Sequence, residues 1–220
     1  QRWFVRHALR RAVRITVVAE HMADPVLAMG IPESRIMVHQ YGVDVDRFSP
    51  APDKRRPLRV VSTRMFDWKY NLQDLVRAVP VLRSRVSDCE VLLAGDGPDR
   101  DEIVRLIGQL GVGASVTVLG KQSHDAVRDL LQTATVYVST SVTDGTSLSL
   151  LEAMACGVFP VVSDIPGNRF WIEDGTNGFL FPKDKPELLA DRISRAMEDE
   201  VLRAEVVDRN LDLVRTRGAY

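Results

Sequence analysis

Long hydrophobic runs are missing from this chain. Its apolar stretches span only a few residues each, far short of the roughly 20 needed to cross a bilayer as a helix. An excess of one charge sign is missing too. With 29 Lys and Arg against 30 Asp and Glu, the formal net charge of −1 removes the basic surplus that nucleic-acid binding draws on, and no nucleic-acid partner is expected. Cysteine is scarce: Cys89 and Cys156 lie in strand-like and helix-like contexts without metal-ligand spacing. Both read as reduced core residues of a reducing compartment. His7, His21, His39 and His124 are scattered along the chain, so no metal site is expected. The chain opens Gln1-Arg2-Trp3, with neither an initiator Met nor a signal-peptide pattern, and is expected to start in mid-protein.

What is present suits a globular protein. Hydrophobic residues make up 45% and charged residues 27% of 220, enough for one large domain or for one domain and part of another. Residues 1–14 are basic, with Arg2, Arg6, Arg10, Arg11 and Arg14, and run into the apolar stretch 15–19. Two readings stay open: the solvated face of a surface helix, or an amphipathic patch against an anionic membrane. The expected location is cytoplasmic, with peripheral membrane contact under the second reading.

From Leu58 onward, short apolar runs at 60–62, 91–94, 116–119, 136–138, 159–162 and 179–181 alternate with helical patterns. Runs without period-two alternation suit strands buried on both faces of a parallel sheet. Leu72, Leu75, Val76, Val79 and Leu82 mark one helix, which Pro80 is expected to kink or end early. Pro98 is expected in the first turn of the next helix, which presents Ile103, Leu106, Ile107 and Leu110. Val127, Leu130 and Leu131 mark a third, and a fourth starts at Pro186. The expected fold is a doubly wound α/β domain whose ligand lies beyond the carboxyl ends of the strands. Before it, 15–19 and 36–38 read as strands flanking a helix over 24–29. The expected divisions are 1–45, the end of a preceding domain; 46–57, a linker rich in Pro and charge; 58–200, the α/β domain; and 201–220, a C-terminal helix that packs back on the preceding domain.

Chemistry concentrates in residues 144–157, between a strand and a helix. Gly145 permits close backbone approach, and Thr146 or Ser147 can start the helix. The first-turn N–H groups there, near Thr146, Ser147 and Leu148, then suit an anion such as a diphosphate. Glu152, one turn further in, can accept hydrogen bonds from two vicinal ribose hydroxyls, and Asp144 can hold hydroxyls of a sugar beyond the phosphates. An equally weighted reading makes Ser149-Leu150-Leu151-Glu152 a capping box, with Glu152 serving the backbone alone. Arg64 and Lys69, after the first strand of the domain, tip the balance as a pair of cations facing that helix N-terminus. The turn Gly95-Asp96-Gly97 adds a third strand end, Gly95 being a candidate donor contact.

These segments together resemble the family 4 group of retaining GT-B glycosyltransferases. Tyr41-Gly42-Val43-Asp44 and Arg47-Phe48-Ser49-Pro50 are similar to its crossover between domains. Arg64 and Lys69 fall at its two diphosphate cations, and Leu93-Ala94-Gly95-Asp96-Gly97-Pro98 matches its Gly-Asp-Gly-Pro turn. Asp144 and Glu152 match its pair of acids, and Gly157, Pro160, Val161 and Val162 continue that motif. Asp174-Gly175 and Asn177-Gly178 match a later loop. Asp144 stands where the first acid is usually Glu, Thr63 and Tyr70 where Gly is usual, and Phe170 where Glu is frequent.

The resemblance implies the C-terminal half of a GT-B fold, a Rossmann-like parallel sheet preceded by a remnant of the N-terminal domain. It implies transfer of a sugar from a nucleoside-diphosphate sugar to an acceptor hydroxyl with retention, without a bound metal and with no cofactor besides the donor. Arg64, Lys69 and Asp144 are then the catalytic candidates, and Gly95, Thr146, Ser147, Leu148 and Glu152 bind the donor. The acceptor, be it a glycan, a lipid or a small molecule, is met by the missing N-terminal domain, so the fragment alone is expected to be inactive. A non-catalytic nucleotide-sugar-binding partner subunit and a nucleotide-sugar epimerase of the same architecture remain as alternatives.

Overall fold

The computed structural model describes residues 2–219. Its larger part is a parallel six-stranded sheet of β3 (Arg59–Ser62), β4 (Glu90–Ala94), β5 (Val116–Gly120), β6 (Val136–Ser139), β7 (Phe159–Ser163) and β8 (Phe179–Phe181). Along these strands alternate residues feed two separate cores. Val60, Val91, Leu93, Val136, Val138 and Val161 pack on one face, and Val61, Leu92, Tyr137 and Val162 on the other. Both faces are therefore dry except at the edge strand β5, where Thr117 and Leu119 are exposed, which is why the other strands read as continuous apolar runs.

The first core is closed by α3 (Leu72–Arg85), α4 (Arg100–Gln109) and α8 (Pro186–Glu198), the second by α5 (His124–Thr133) and α6 (Leu148–Ala155). The short α7 (Pro166–Arg169) follows β7, and α9 (Glu200–Leu213) touches both α8 and α6. Cys89 and Cys156 are both buried and free, and burial pushes the Cys156 thiol up to about 12. An inert thiol in the core needs no redox or metal role.

Two helix expectations need correction. Helix α3 passes through Pro80 and continues to Arg85. Pro80 itself is exposed, while Leu72, Leu75, Val76, Val79 and Leu82 stay buried on either side of it. Burial of that stripe outweighs one lost backbone hydrogen bond. Pro98 lies in the turn before α4, whose first residue is Arg100, so it shapes the approach to the helix instead of opening it.

Strand order in the sheet is β5-β4-β3-β6-β7-β8. The chain starts in the middle at β3, builds outward to β5, and then returns to lay β6 on the other side of β3. The winding direction reverses between β3 and β6, and a crevice opens there at their carboxyl ends.

A smaller unit precedes the sheet. Helix α1 (Arg2–Arg11) leads into β1 (Ile15–Val17), α2 (Ala23–Leu27) and β2 (Ile36–Val38). The two strands are paired in parallel around a small core of Ile15, Val17 and Ile31. The crossover that follows buries Val43 and Phe48 in the second core of the large sheet. The C-terminal tail returns to it, with Val43 N donating to the Gly218 carbonyl at 2.7 Å. No helix among the described residues is long and apolar enough to cross a membrane.

Candidate functional site

Arg64 leaves β3 directly into the reversal crevice and is 7% exposed. Its guanidinium donates from Nη1 to Ser147 Oγ at 2.9 Å and Ser149 Oγ at 2.7 Å, and from Nη2 to Asp144 Oδ2 at 2.5 Å. The Tyr70 ring lies under it, 4.1 Å from the guanidinium carbon. Ser147 is the N-cap of α6 and accepts from Leu150 N, so Arg64 stands at the positive end of that helix. A cation beside a helix N-terminus is unfavourable unless a negative charge balances both, and Asp144 supplies it.

Several buried polar atoms around the same strand ends have no hydrogen-bond partner among the described residues: Ser62 Oγ, Thr63 Oγ1, Arg64 Nε and, on α7, Asn168 Oδ1. Orphaned groups of this kind cost free energy where they stand and mark a place for a polar ligand.

The other predicted cation is placed differently. The Lys69 carbonyl accepts from Val142 N at 2.8 Å, tying the β3 loop to the β6 loop. Its ammonium lies 3.9 Å from Asp67, is half-exposed, and stands 5.8 Å from the centre of the Tyr70 ring that also lies under Arg64. Gly95 is fixed by packing: a Cβ there would sit 2.3 Å from the Arg64 carbonyl oxygen. Its presence lets the β4–α4 turn lie flat against the backbone that carries Arg64.

Residues 144–146 are clasped from two sides. Thr146 Oγ1 donates to the Val18 carbonyl at 2.7 Å, and His21 Nε2 lies 3.1 Å from the Asp144 carbonyl. A carbonyl only accepts, so that nitrogen carries the proton. On the opposite side a Cβ at Gly167 would meet the Gly145 and Asp144 carbonyl oxygens at 2.5 and 2.6 Å.

Glu152 corrects the capping-box reading. The N-cap is Ser147, not Ser149, and the Glu152 carboxylate bonds to no backbone donor; Oε1 lies 2.9 Å from His124 Nε2. Burial pushes the Glu152 pKa up, while the hydrogen bond from His124 pulls it partly back. Glu152 and His124 line a cavity of about 110 Å3 with Gly42, Val43, Asp44, Phe48 and Leu148. A wider opening of about 520 Å3 adjoins it, sharing Gly42 and Leu148 and bounded further by His39, Gln40, Tyr41, Arg217 and Ala219. A third cavity, of about 510 Å3, lies at the amino ends of β6 and β7 beside Thr135 and Gly157, away from this chemistry.

The histidines are thus less scattered than their spacing suggests. His21 and His124 both reach the crevice, from different elements. Of these, only His124 carried a usable signal: Ser123 caps α5 and puts the next residue at the carboxyl end of β5.

The family model for glycosyl transferases group 1 matches residues 43–211. The chain belongs to that family. An alpha-D-kanosaminyltransferase of Streptomyces kanamyceticus is 26% identical over 94% of this chain and 57% of its own length. A phosphatidyl-myo-inositol mannosyltransferase of Mycobacterium tuberculosis is 33% identical over 76% of this chain and 46% of its own. Among solved structures, Anabaena HepE in complex with UDP and glucose superposes with a TM-score of 0.87 at 20% identity, covering 96% of this chain and 61% of HepE. This glycosyl transferases group 1 chain spans about half the length of the curated relatives it matches. Within the matched region Arg64 and Asp144 pair at the strand ends, and Glu152, on the second turn of α6, lines the cavity beside Leu148.

Proposed function

We propose that the chain is the donor-binding half of a retaining GT-B glycosyltransferase of the family 4 group. The full protein moves a sugar from a nucleoside-diphosphate donor to an acceptor hydroxyl, with no bound metal and no cofactor besides the donor. Residues 1–45 close the N-terminal acceptor-side domain, 46–57 link the two, 58–200 hold the donor, and 201–220 pack back toward the N-terminal side. The observation that carries the reading is Arg64, buried at the N-terminus of α6 and neutralised, among the described residues, by Asp144 alone.

In this reading the donor diphosphate takes the place of Asp144 on Arg64, gaining the guanidinium and the first-turn N–H groups near Thr146, Ser147 and Leu148. Lys69 turns from Asp67 to add a second cation. Charge builds on the leaving diphosphate as the sugar departs, and these fixed positive groups stabilise it where it develops. Asp144, released from Arg64, accepts hydroxyls of the transferred sugar, and Glu152 accepts those of the ribose. Gly95 keeps the Arg64 backbone close enough for the cation to reach.

Calorimetric titration with UDP, GDP and ADP, their sugar conjugates, the nucleosides and pyrophosphate tests this. Arg64→Ala should weaken the tightest nucleoside diphosphate by about a hundredfold, in line with a charge-assisted hydrogen-bonded pair of about 2–3 kcal/mol. The nucleoside alone should lose little. Absence of binding by any member of the panel would sink the reading. A nucleotide-binding partner subunit without turnover is the second reading, favoured by Phe170, which packs on Trp171 and under Arg217 where relatives often present Glu.

A further inference from the structure

Glu152 stands on the second turn of α6 with 14% of its side chain exposed. Its Oε1 accepts from His124, and its Oε2 has no protein donor among the described residues. We propose that His124 is a positioning residue for the nucleotide: it fixes the Glu152 carboxylate with one oxygen engaged and the other left open for the vicinal ribose hydroxyls. The inference rests on the reading above that Glu152 holds that ribose.

The imidazole is itself held in place. His124 is the first residue of α5, behind the Ser123 cap. Its ring lies 4.9 Å from that of Phe48, which the second core buries almost completely. Arg47 reaches across to Asp125 at 3.0 Å and joins the crossover to the same turn of α5. The ring therefore has a floor, and its neighbours on both sides are anchored. The ring is half-exposed, and from this place Nε2 meets Glu152 Oε1 at 2.9 Å.

The carboxylate needs that donor. Arg47 and Arg64 act on Glu152 only through space, and Asp44 lines the same cavity. None of these hydrogen-bonds to it. Without His124 a largely buried carboxylate has no protein hydrogen bond, is free to change rotamer, and takes up a proton more readily. A protonated carboxyl loses its charge and presents a donor at one oxygen, and a misdirected one turns its open oxygen away, so either holds the two ribose hydroxyls less well.

The test uses the full 220-residue chain and whichever of UDP, GDP and ADP binds it most tightly, with the matching 2′-deoxy nucleotide and inorganic pyrophosphate as controls. His124→Ala should weaken the ribonucleotide about tenfold, leave pyrophosphate unchanged, and shrink the preference over the deoxy form. His124→Gln, whose amide nitrogen sits near the place of Nε2, should restore most of the affinity. His124→Phe keeps an aromatic ring on Phe48 without the donor and should behave like His124→Ala. Recovery by Phe and not by Gln would mean that ring packing is what counts, and the proposal falls. Glu152→Ala separates the two layers. If it binds the ribonucleotide as the native chain does, the ribose reading itself fails. If it binds weakly while His124→Ala is unaffected, only the role of His124 fails.

Discussion

Arg64 and Glu152 meet the same physical problem with opposite charges. Each is largely withdrawn from water, and each has one close partner, Asp144 for the guanidinium and His124 for the carboxylate. Removing either partner strands a buried charge, which is far costlier than leaving a pair intact. Glu152 gives the sharper consequence, because burial raises its pKa. A group whose folded pKa is raised favours the folded state fully below its unfolded pKa and loses that contribution as pH rises through the folded value. Glu152→Gln should therefore melt with the native chain in acid and above it once the pH has passed the raised value. Nucleoside affinity runs the other way: the ionised form accepts ribose hydroxyls, so binding by the native chain should weaken as pH falls through that same window. Melting curves and titrations at matched pH check both signs, and a native chain whose affinity is flat through the window would count against Glu152 as the ribose contact.

At the scale of elements, the strands of the large sheet were legible because all but the edge strand β5 are largely dry on both faces and so are written as apolar runs. The helices were legible where they carry a one-sided stripe, as α3 does. Their punctuation was not. Pro80 reads locally as a break, yet the packing of Leu75, Val79 and Leu82 carries the helix past it. Ser149 and Glu152 have capping-box spacing, yet the chain bends into the helix at Ser147, so both side chains are free to face the crevice. Gly95 shows the reverse case, a weak local motif with a strict steric role. Gly95→Ala places a methyl against the backbone oxygen of Arg64, where no flexible side chain can yield. It should cost about 1–3 kcal/mol of stability and weaken diphosphate binding through the displaced guanidinium. A variant with native melting temperature and native affinity would show that the turn has room to shift.

For the molecule as a whole, the reversal between β3 and β6 brings together Arg64 and residues 144–152, which are some eighty positions apart in the chain. The small N-terminal unit reaches the same place through Val18 and His21. Under the proposed function, closure of a second domain over this crevice would exclude water from a leaving diphosphate. The chain as it stands should bind nucleotide but transfer little sugar. A coupled release assay with donor sugars and simple acceptors measures this, and turnover in the ordinary enzyme range of about 1–1000 per second would contradict it.

Sequence by itself determined the layered α/β fold, the strands of the large sheet to within a residue at either end, and which residue types stand at the strand ends. Those depend on local burial patterns and on residue types that recur in a fixed order. Tertiary structure alone decided the partners: Asp144 on Arg64, His124 on Glu152, Thr146 on Val18, and Lys69 turned aside to Asp67. Each of these joins elements whose separation in sequence, or whose side-chain direction, no periodicity encodes. A parallel sheet gathers every strand's carboxyl end on one edge, but the order of its strands chooses which loops become neighbours.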